Sequence, residues 1–479
     1  MGKNSKIRRD AKKRKDAERE RSVSSASPPR SYGQATRTGG QTYGHPTPEF
    51  PPQPGQRSSY DGAIDVNEVV EIGLEEAIAA FRTGDDAEVD ATLDVIVTAP
   101  PRAGAAGIHP AQVGAGRVLR RAFLSLWRVG WEPLDVAHVG ARQLPKELRS
   151  LLPVALELDL VAQRSRLSDR FVSQADALGF DLEGPAQLDG QTDRSFVAAW
   201  SPGMAWKVHA SERLMFVVRF AELVTRLPKL DPLNAPSSSG RRGPAAAIDE
   251  KIIGRVRALL AKAESTGFEE EADALIAKAQ ELMSRHSIDV AMLAHERRDT
   301  NAAPVAQRFH LDDPYLEAKS LLLHVVATEN RCSPVFNPSL GFVTVMGFDT
   351  DLAIVDVLFT SLLSQSTVSL RTAGAGESAG RGRTPSFRRS FLLSFAQRIR
   401  ERLSEGARAA RVDAEATFGG ALVPVMASRA EAVDGLRSTL FPLTINRETS
   451  ISNAAGYHAG RIAADQASLG VGGHLTTSR

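Results

Sequence analysis

His324, Glu329 and Cys332 lie close together in the chain. Such a set offers a thiol nucleophile, an imidazole to take its proton and a carboxylate nearby. The context argues against it. Cys332 opens the apolar run "CSPVF", where a thiol behaves as a small buried hydrophobe. It is also the chain's one cysteine, so no intramolecular disulfide forms and a cysteine-based zinc site lacks its other ligands. The ten histidines are scattered and no HExxH occurs, which disfavours a zincin or a zinc finger. His286 and His295 are nine residues apart, but Arg297 and Arg298 put cations beside that pair. They read as helix-end and surface histidines. None of these residues calls for a metal or a cofactor.

Phosphate-transfer and acyl-transfer motifs are equally thin. "GAGESAGRGR" and "GAAGIHPAQVGAG" are Gly-rich but lack the Lys-Ser/Thr that closes a phosphate loop, so both read as loops. No GxSxG nucleophile elbow appears. A hydrolytic site would have to be assembled from acids and arginines distant in sequence.

Cations are the more informative signal. Residues 1 to 60 carry 13 Lys/Arg against 5 Asp/Glu, a net of +8, and the rest carries 46 against 52, a net of −6. The basic character therefore sits in the tail, with Arg8, Arg9, Lys12, Lys13, Arg14 and Lys15 as candidate phosphate contacts. A second cluster runs from Arg371 to Arg402, with eight arginines and two glutamates. On a helix, Phe387, Phe391, Leu392, Phe395, Ile399 and Leu403 form one apolar arc. Arg389, Arg400 and Arg411 form a stripe on the opposite side, readable as a polyanion contact or as a solvated face. Arg388, Arg398 and Arg402 fall inside the arc and must snorkel, pair with carboxylates or face a polyanion.

The elements that must position these residues follow from periodicity and punctuation. "SKIRRDAKKRKDAERERS" has almost nothing apolar to bury, and Ser22 to Tyr60 is rich in Ser, Pro, Gly and Gln, so 1–61 reads as a disordered basic tail and linker. Helical spacing then recurs in "VNEVVEIGLEEAIAAF", "AGRVLRRAFLSLWRVG", "KELRSLLPVALELDLVAQR" and "AWKVHASERLMFVVRFAELVTRL". With Trp127, Trp131, Trp200 and Trp206 as core anchors, 62–230 is expected to be an all-α domain. "LPKLDPLNAPSSSGRRGPAAA" supplies a linker over 231–247. Farther on, "YLEAKSLLLHVVATEN" reads as a helix, and "CSPVF" and "GFVTVMG" around "NPSL" as a β-hairpin with Pro334 on an edge strand. A helix capped by Asp349, with Asp351 near its positive end, follows. Then come a loop at "TAGAGESAGRGRTP", a long helix from Ser386 to about Thr417, a short strand at "ALVPVMA" and a last helix at "NAAGYHAGRIAADQA". These make a small α+β domain over 310–472.

Between linker and α+β domain, residues 248–295 read as two helices hinged at "STGF". Ile252, Ile253, Val256, Leu259 and Leu260 share a face of the first helix, and Leu275, Ile276, Leu282 and Met283 a face of the second. Gly267 suits the turn, Thr266 and Glu269 have capping-box spacing, and Arg285 and His286 stand near the second helix's end. The carboxylates fall at caps and polar faces, so none needs a catalytic role. "KIIGRVRALLAKAESTGFEEEADALIAKAQELMSRHSID", Lys251 to about Asp289, resembles the bacterial and phage family called domain of unknown function 2786. "SFRRSFLLSFAQRIRERL" and "GYHAGRIAADQASLG" resemble the companion domain often found after that hairpin. The resemblance supplies no catalytic residues.

The fold expected is therefore mainly α, with an all-α N-terminal domain, a helical hairpin, a small α+β C-terminal domain and a disordered tail. No stretch reads as the ~20 apolar residues that span a bilayer, and no secretory signal opens the chain. A cytoplasmic setting without membrane association is expected. The leading functional expectation is a non-enzymatic accessory protein that associates with RNA or DNA through its tail and Arg-rich helix. The alternatives are a hydrolase or nucleic-acid-processing enzyme, and a scaffold that binds protein through the hairpin.

Overall fold

The computed structural model describes residues 66–98, 110–183, 206–233, 254–255, 258, 269–296, 303–376, 384–446 and 449–467. The basic tail with Arg8 to Lys15, the hairpin's turn with Thr266 and Gly267, and Trp200 lie outside them. So do Ile252, Ile253, Val256, Leu259 and Leu260, and the side chains of Trp206, Leu275 and Ile276. The described chain is mainly helical with one small antiparallel sheet, as the periodicity predicts.

The N-terminal helices are α1 (Val66–Thr83), α2 (Asp86–Thr98), α3 (Pro110–Arg128), α4 (Pro133–Gln143), α5 (Leu151–Ala162), α6 (Asp169–Ala177) and α7 (Trp206–Arg226). Val70, Leu74, Ala77 and Ile78 of α1 are buried at helical spacing against α3 and α7. In α7, Leu214, Phe216, Val217, Val218 and Phe220 are all buried. With Arg213 and Glu222 enclosed as well, α7 is buried on nearly every side and is central to its bundle. Phe220 meets Phe123 of α3 at a ring separation of 4.9 Å. Trp131 is buried and its indole N–H donates to Pro228 O at 2.9 Å, while Trp127 is half-buried and donates to Asp159 at 2.9 Å.

The remaining elements are α8 (Glu269–Glu296), β1 (Val305–His310), α9 (Leu316–Glu329), β2 (Ser333–Asn337), β3 (Phe342–Gly347), α10 (Asp349–Gly376), α11 (Pro385–Phe418), α12 (Leu422–Leu440) and α13 (Ala454–Asp465). The sheet order is β1-β3-β2, all antiparallel. The predicted hairpin forms at its predicted turn. Asn337 Oδ1 accepts from Ser339 Oγ at 2.8 Å and Leu340 N–H at 3.1 Å, and Gly341 takes φ +74°. Pro334 lies on the edge strand β2, as its missing donor requires.

β3 is buried along its whole length because the sheet is covered on both faces. Val343 and Val345 face the core shared by α9, α10 and α11, whereas Phe342 joins the core of the N-terminal helices. The arc predicted on α11 is that core's spine: Phe387, Phe391, Phe395, Ile399 and Leu403 are fully buried, and Leu392 nearly so. Met283 of α8 is buried against it and Leu282 packs alongside.

Several expectations need correction. "ALVPVMA" is not a strand; it spans Leu422, Val423 and the rest of the first turns of α12. Pro424 is tolerated there because a first-turn N–H has no intrahelical acceptor to lose. The third strand is "VAQRFH", Val305 to His310, a short alternating segment that periodicity did not single out. Asp349 is the first residue of α10 rather than the cap before it, and the helix runs on to Gly376, into the expected loop.

The second hairpin helix continues to Glu296, because Ile288, Ala291 and Met292 extend its apolar face onto Leu422 and Val425 of α12. Arg285 and His286 are therefore mid-helix. His286 is buried, not a surface histidine. Finally, Asp349–Ala373 is long and apolar enough to cross a membrane by length and composition. Its Leu352, Val355, Leu358 and Leu362 are buried in the core just described, which accounts for their apolar character.

Candidate functional site

A concentrated polar site lies where α4 meets β1. In "WEPLD", Glu132 caps α4, Pro133 occupies the first helical position, and Asp135 at the third accepts the Glu132 N–H at 3.0 Å. In β1, Arg308 and His310 are two residues apart, so both side chains leave the same face of the strand. That face meets Asp135. Arg308 Nη1 donates to Asp135 Oδ2 at 2.6 Å, and His310 Nε2 lies 2.8 Å from Oδ1. Arg308 also donates to Gly130 O at 2.9 Å and Asp231 O at 3.1 Å. The Asp135 side chain is 0% exposed, that of Arg308 4% and that of His310 19%.

Burial pushes the Asp135 carboxyl upward, but the His310 hydrogen bond and the Arg308 charge outweigh it and hold the group below its ordinary range. The ring of His138 stands 5.1 Å from that of His310 and its Nε2 is 3.1 Å from Gly341 O. Burial, then the charges of His310 and Arg142, push His138 down to about 4. A further layer fixes the start of α4: Gln174 donates to Glu132 Oε2 at 2.6 Å and accepts the Leu134 N–H at 3.1 Å.

A carboxylate-held imidazole has the makings of a general base. Here the Asp135 oxygens are shared among Arg308, His310 and a backbone N–H, and among the described residues no serine, threonine or cysteine is hydrogen-bonded to His310. The arrangement is a clamp between α4 and β1. Beside it a groove of about 560 Å³ opens along β1, walled on one side by Leu134 and on the other by α10.

The predicted site residues are not brought together with this clamp. Arg389 donates to Ser450 O at 2.7 Å and to Glu317 at 3.2 Å, and Arg411 pairs with Glu415 at 3.0 Å. Arg400 is exposed, with no hydrogen bond or ion pair among the described residues. Of the arginines inside the apolar arc, Arg398 pairs with Asp465 and Glu401, and Arg402 donates to Ala467 O at 2.8 Å. Pairing within the fold answers the question posed by those two.

Cys332 is buried, and burial together with Asp351 pushes its thiol up, away from thiolate. His324 is exposed on α9 and does not share that buried site. No group of three His, Cys, Asp or Glu side chains among the described residues is arranged to hold a metal ion. Asp351 does more than the expected helix-end role. Buried, it accepts from Ser287 of α8, from Arg331 at 3.0 Å and from Arg429 of α12 at 3.3 Å. Arg429 in turn lies 3.5 Å over the Phe348 ring.

Residues 251–290 match the family model described as a protein of unknown function (DUF2786), the family that the hairpin resembles. Ser287, at the end of that match, joins it to Asp351. No curated protein matches the chain. No solved structure matches it either.

Proposed function

We propose that this chain is a non-enzymatic accessory protein that associates with RNA or single-stranded DNA, chiefly through the cations of its first 60 residues. The observation that carries the reading is the charge division, +8 in residues 1 to 60 against −6 in the rest. Cations that follow a phosphate backbone release its counterions, giving salt-sensitive and weakly sequence-selective binding. The pairing of Arg389, Arg398 and Arg411 with carboxylates of the same chain supports assigning the larger share to the tail. Arg400 is then the stripe residue best placed to add a contact.

The test is binding of the full chain to RNA and single-stranded DNA across a salt series, beside a chain lacking residues 1 to 21. The reading expects binding at low salt that weakens about equally for all sequences on deletion, with thermal unfolding of the body unchanged. No binding of the full chain to either polymer at low salt refutes it.

A further inference from the structure

We propose that the outer edge of β1 and the adjoining side of α10 form a binding site for an extended peptide. The peptide would add as a fourth strand and place an acidic side chain against Arg371. This inference is independent of the tail and of nucleic acid.

The ladder shows which backbone groups are free. Leu311 N–H donates to Gly341 O at 2.9 Å, continuing the register in which His310 faces Phe342. Hydrogen-bonded pairs alternate along an antiparallel ladder. Phe309, Gln307 and Val305 therefore bond to β3, and the N–H and C=O of Ala306, Arg308 and His310 point away from it; Ala306 is 1% exposed, so the edge that opens on the groove is that of Arg308 and His310. No backbone partner among the described residues takes them up. On the other edge, the same alternation turns the position of Pro334 outward, where its missing N–H exposes no donor. Sheets blunt their edges with proline, lysine, bulges or covering elements. β2 has proline; β1, "VAQRFH" in unbroken register, has neither proline, lysine nor bulge, and is buried at its Val305–Ala306 end but open to the groove from Gln307 to His310.

The groove beside this edge is shaped for a strand. Asp356, Thr360, Ser364, Thr367 and Arg371 recur along the exposed side of α10, with Phe359 and Leu363 below them. From Asp356 to Arg371 that stripe is about 22 Å long, the length of about seven extended residues. The groove is more open than enclosed, which suits a chain rather than a compact ligand. A second copy pairing edge to edge would have to bring its own α4 and α10 into the same slot.

Charge chooses the peptide. Asp356 already has a partner, and Arg308 is spent on Asp135. Arg371 is exposed and makes no ion pair among the described residues. An incoming strand presents alternate side chains to one face, so apolar residues would meet Phe359 and Leu363 and a carboxylate would reach Arg371.

The probes are heptapeptides in which threonine alternates with valine, valine and glutamate, made in both chain directions, and counterparts with lysine for glutamate. Binding is read by fluorescence anisotropy and by hydrogen exchange of the segment 303–311 in the full chain. The glutamate peptide in one direction should bind and slow exchange there. Arg371→Glu should weaken it by about tenfold or more, the worth of one charge-assisted contact, and shift preference to the lysine peptide. Thr360→Trp should fill the slot and abolish both. Both residues are exposed, so melting curves should not change. The proposal is overturned by unslowed exchange at millimolar peptide, by equal binding of lysine and glutamate peptides, or by indifference to Thr360→Trp. It is also overturned if 303–311 is protected in the free chain only while sedimentation shows a dimer, which would assign the edge to a second copy.

Discussion

Asp135 and Arg308, 173 residues apart in sequence, meet at 2.6 Å with side chains 0% and 4% exposed. The pair joins the N-terminal helices to the sheet, so its removal tests how far the two depend on each other. Stripping one partner leaves a buried charge uncompensated, at a cost of ~3–5 kcal/mol. Asp135→Ala should lower stability to urea by about that amount. Asp135→Leu combined with Arg308→Met should cost much less than the sum of the single changes. Additive losses would show that the two charges do not act as a pair.

Two helical glycines, one at the crossing of α11 and α13 and one on α12, make opposite predictions. A Cβ on Gly460 would approach Phe391 O within 2.3 Å, whereas one on Gly435 of α12 meets nothing within 4 Å. Backbone cannot retreat as a flexible side chain does. Gly460→Ala should destabilise by ~1–3 kcal/mol, as overpacking does. Gly435→Ala should stabilise by ~0.5–1 kcal/mol, the ordinary helix preference for alanine. Thermal melts of the two variants check the sign of each.

The pH dependence of stability should conceal two opposing groups. Burial raises Asp159 from 3.8 to about 6, against the hydrogen bonds of Trp127 and Gln163 and the charge of Arg120. The folded state then holds more protons than the unfolded one over that range, so this group's stability contribution is lost as pH rises from 3.8 to about 6. His138 is lowered from 6.5 to about 4, so the unfolded state holds the extra proton and stability is lost as pH falls across that window. Asp159→Asn should therefore leave a curve that drops more steeply on acidification below pH 6.5, with its largest relative gain at neutral pH. Urea midpoints measured from pH 4 to 8 check this, and a parallel downward shift at every pH would contradict it.

Much of the helical fold was legible because its signals are local. The arc from Phe387 to Leu403, the Asn337-to-Leu340 turn and the outward place of Pro334 each follow from spacing or from one residue's chemistry. The strand Val305 to His310 was not legible: six residues of mixed polarity make a weak period, and β3 rather than their own propensity holds them in place. "ALVPVMA" misled because β-branched residues and proline also fit the opening of a helix. The clamp was half-visible. Glu132, Pro133 and Asp135 form a helix-start signal, and Arg308 and His310 share a strand face, but nothing in either segment points to the other. Arg398 and Arg402 stood out as misplaced charges, and their partners on and just past α13 became apparent only once the helices were packed.

The family-matched helix should be held by packing and by one buried hydroxyl. Met283 is 2% exposed, while Leu293 on the same helix is 41% exposed. Met283→Ala should cost ~2–5 kcal/mol, the range for emptying a buried site, and Leu293→Ala should stay within about 0.5 kcal/mol of the parent, as surface changes do. Ser287→Ala should fall between them, because it removes one donor from buried Asp351 and leaves Arg331 and Arg429 in place. Equal losses at Met283 and Leu293 would mean that the helix is not anchored through this face.

The arginine stripe of α11 separates structural cations from available ones. Arg389 bridges to Ser450 and Glu317, so Arg389→Gln should loosen the approach to α13 and lower the melting temperature. Arg411 pairs with Glu415 one turn away at an exposed site, where such pairs contribute ~0.3–0.5 kcal/mol. Arg400 is exposed, makes no hydrogen bond or close ion pair among the described residues and acts on Glu329 only through its charge, so Arg400→Gln should change folding little. If the folded body touches a polyanion bound to the tail, Arg400→Gln should also reduce the salt dependence of binding by about one unit of slope. Arg411→Gln should reduce it less, since Glu415 already neutralises that charge. The net −6 of the chain beyond residue 60 opposes any such contact at long range. A salt slope unchanged by Arg400→Gln but cut by deletion of residues 1 to 21 would confine the interaction to the tail.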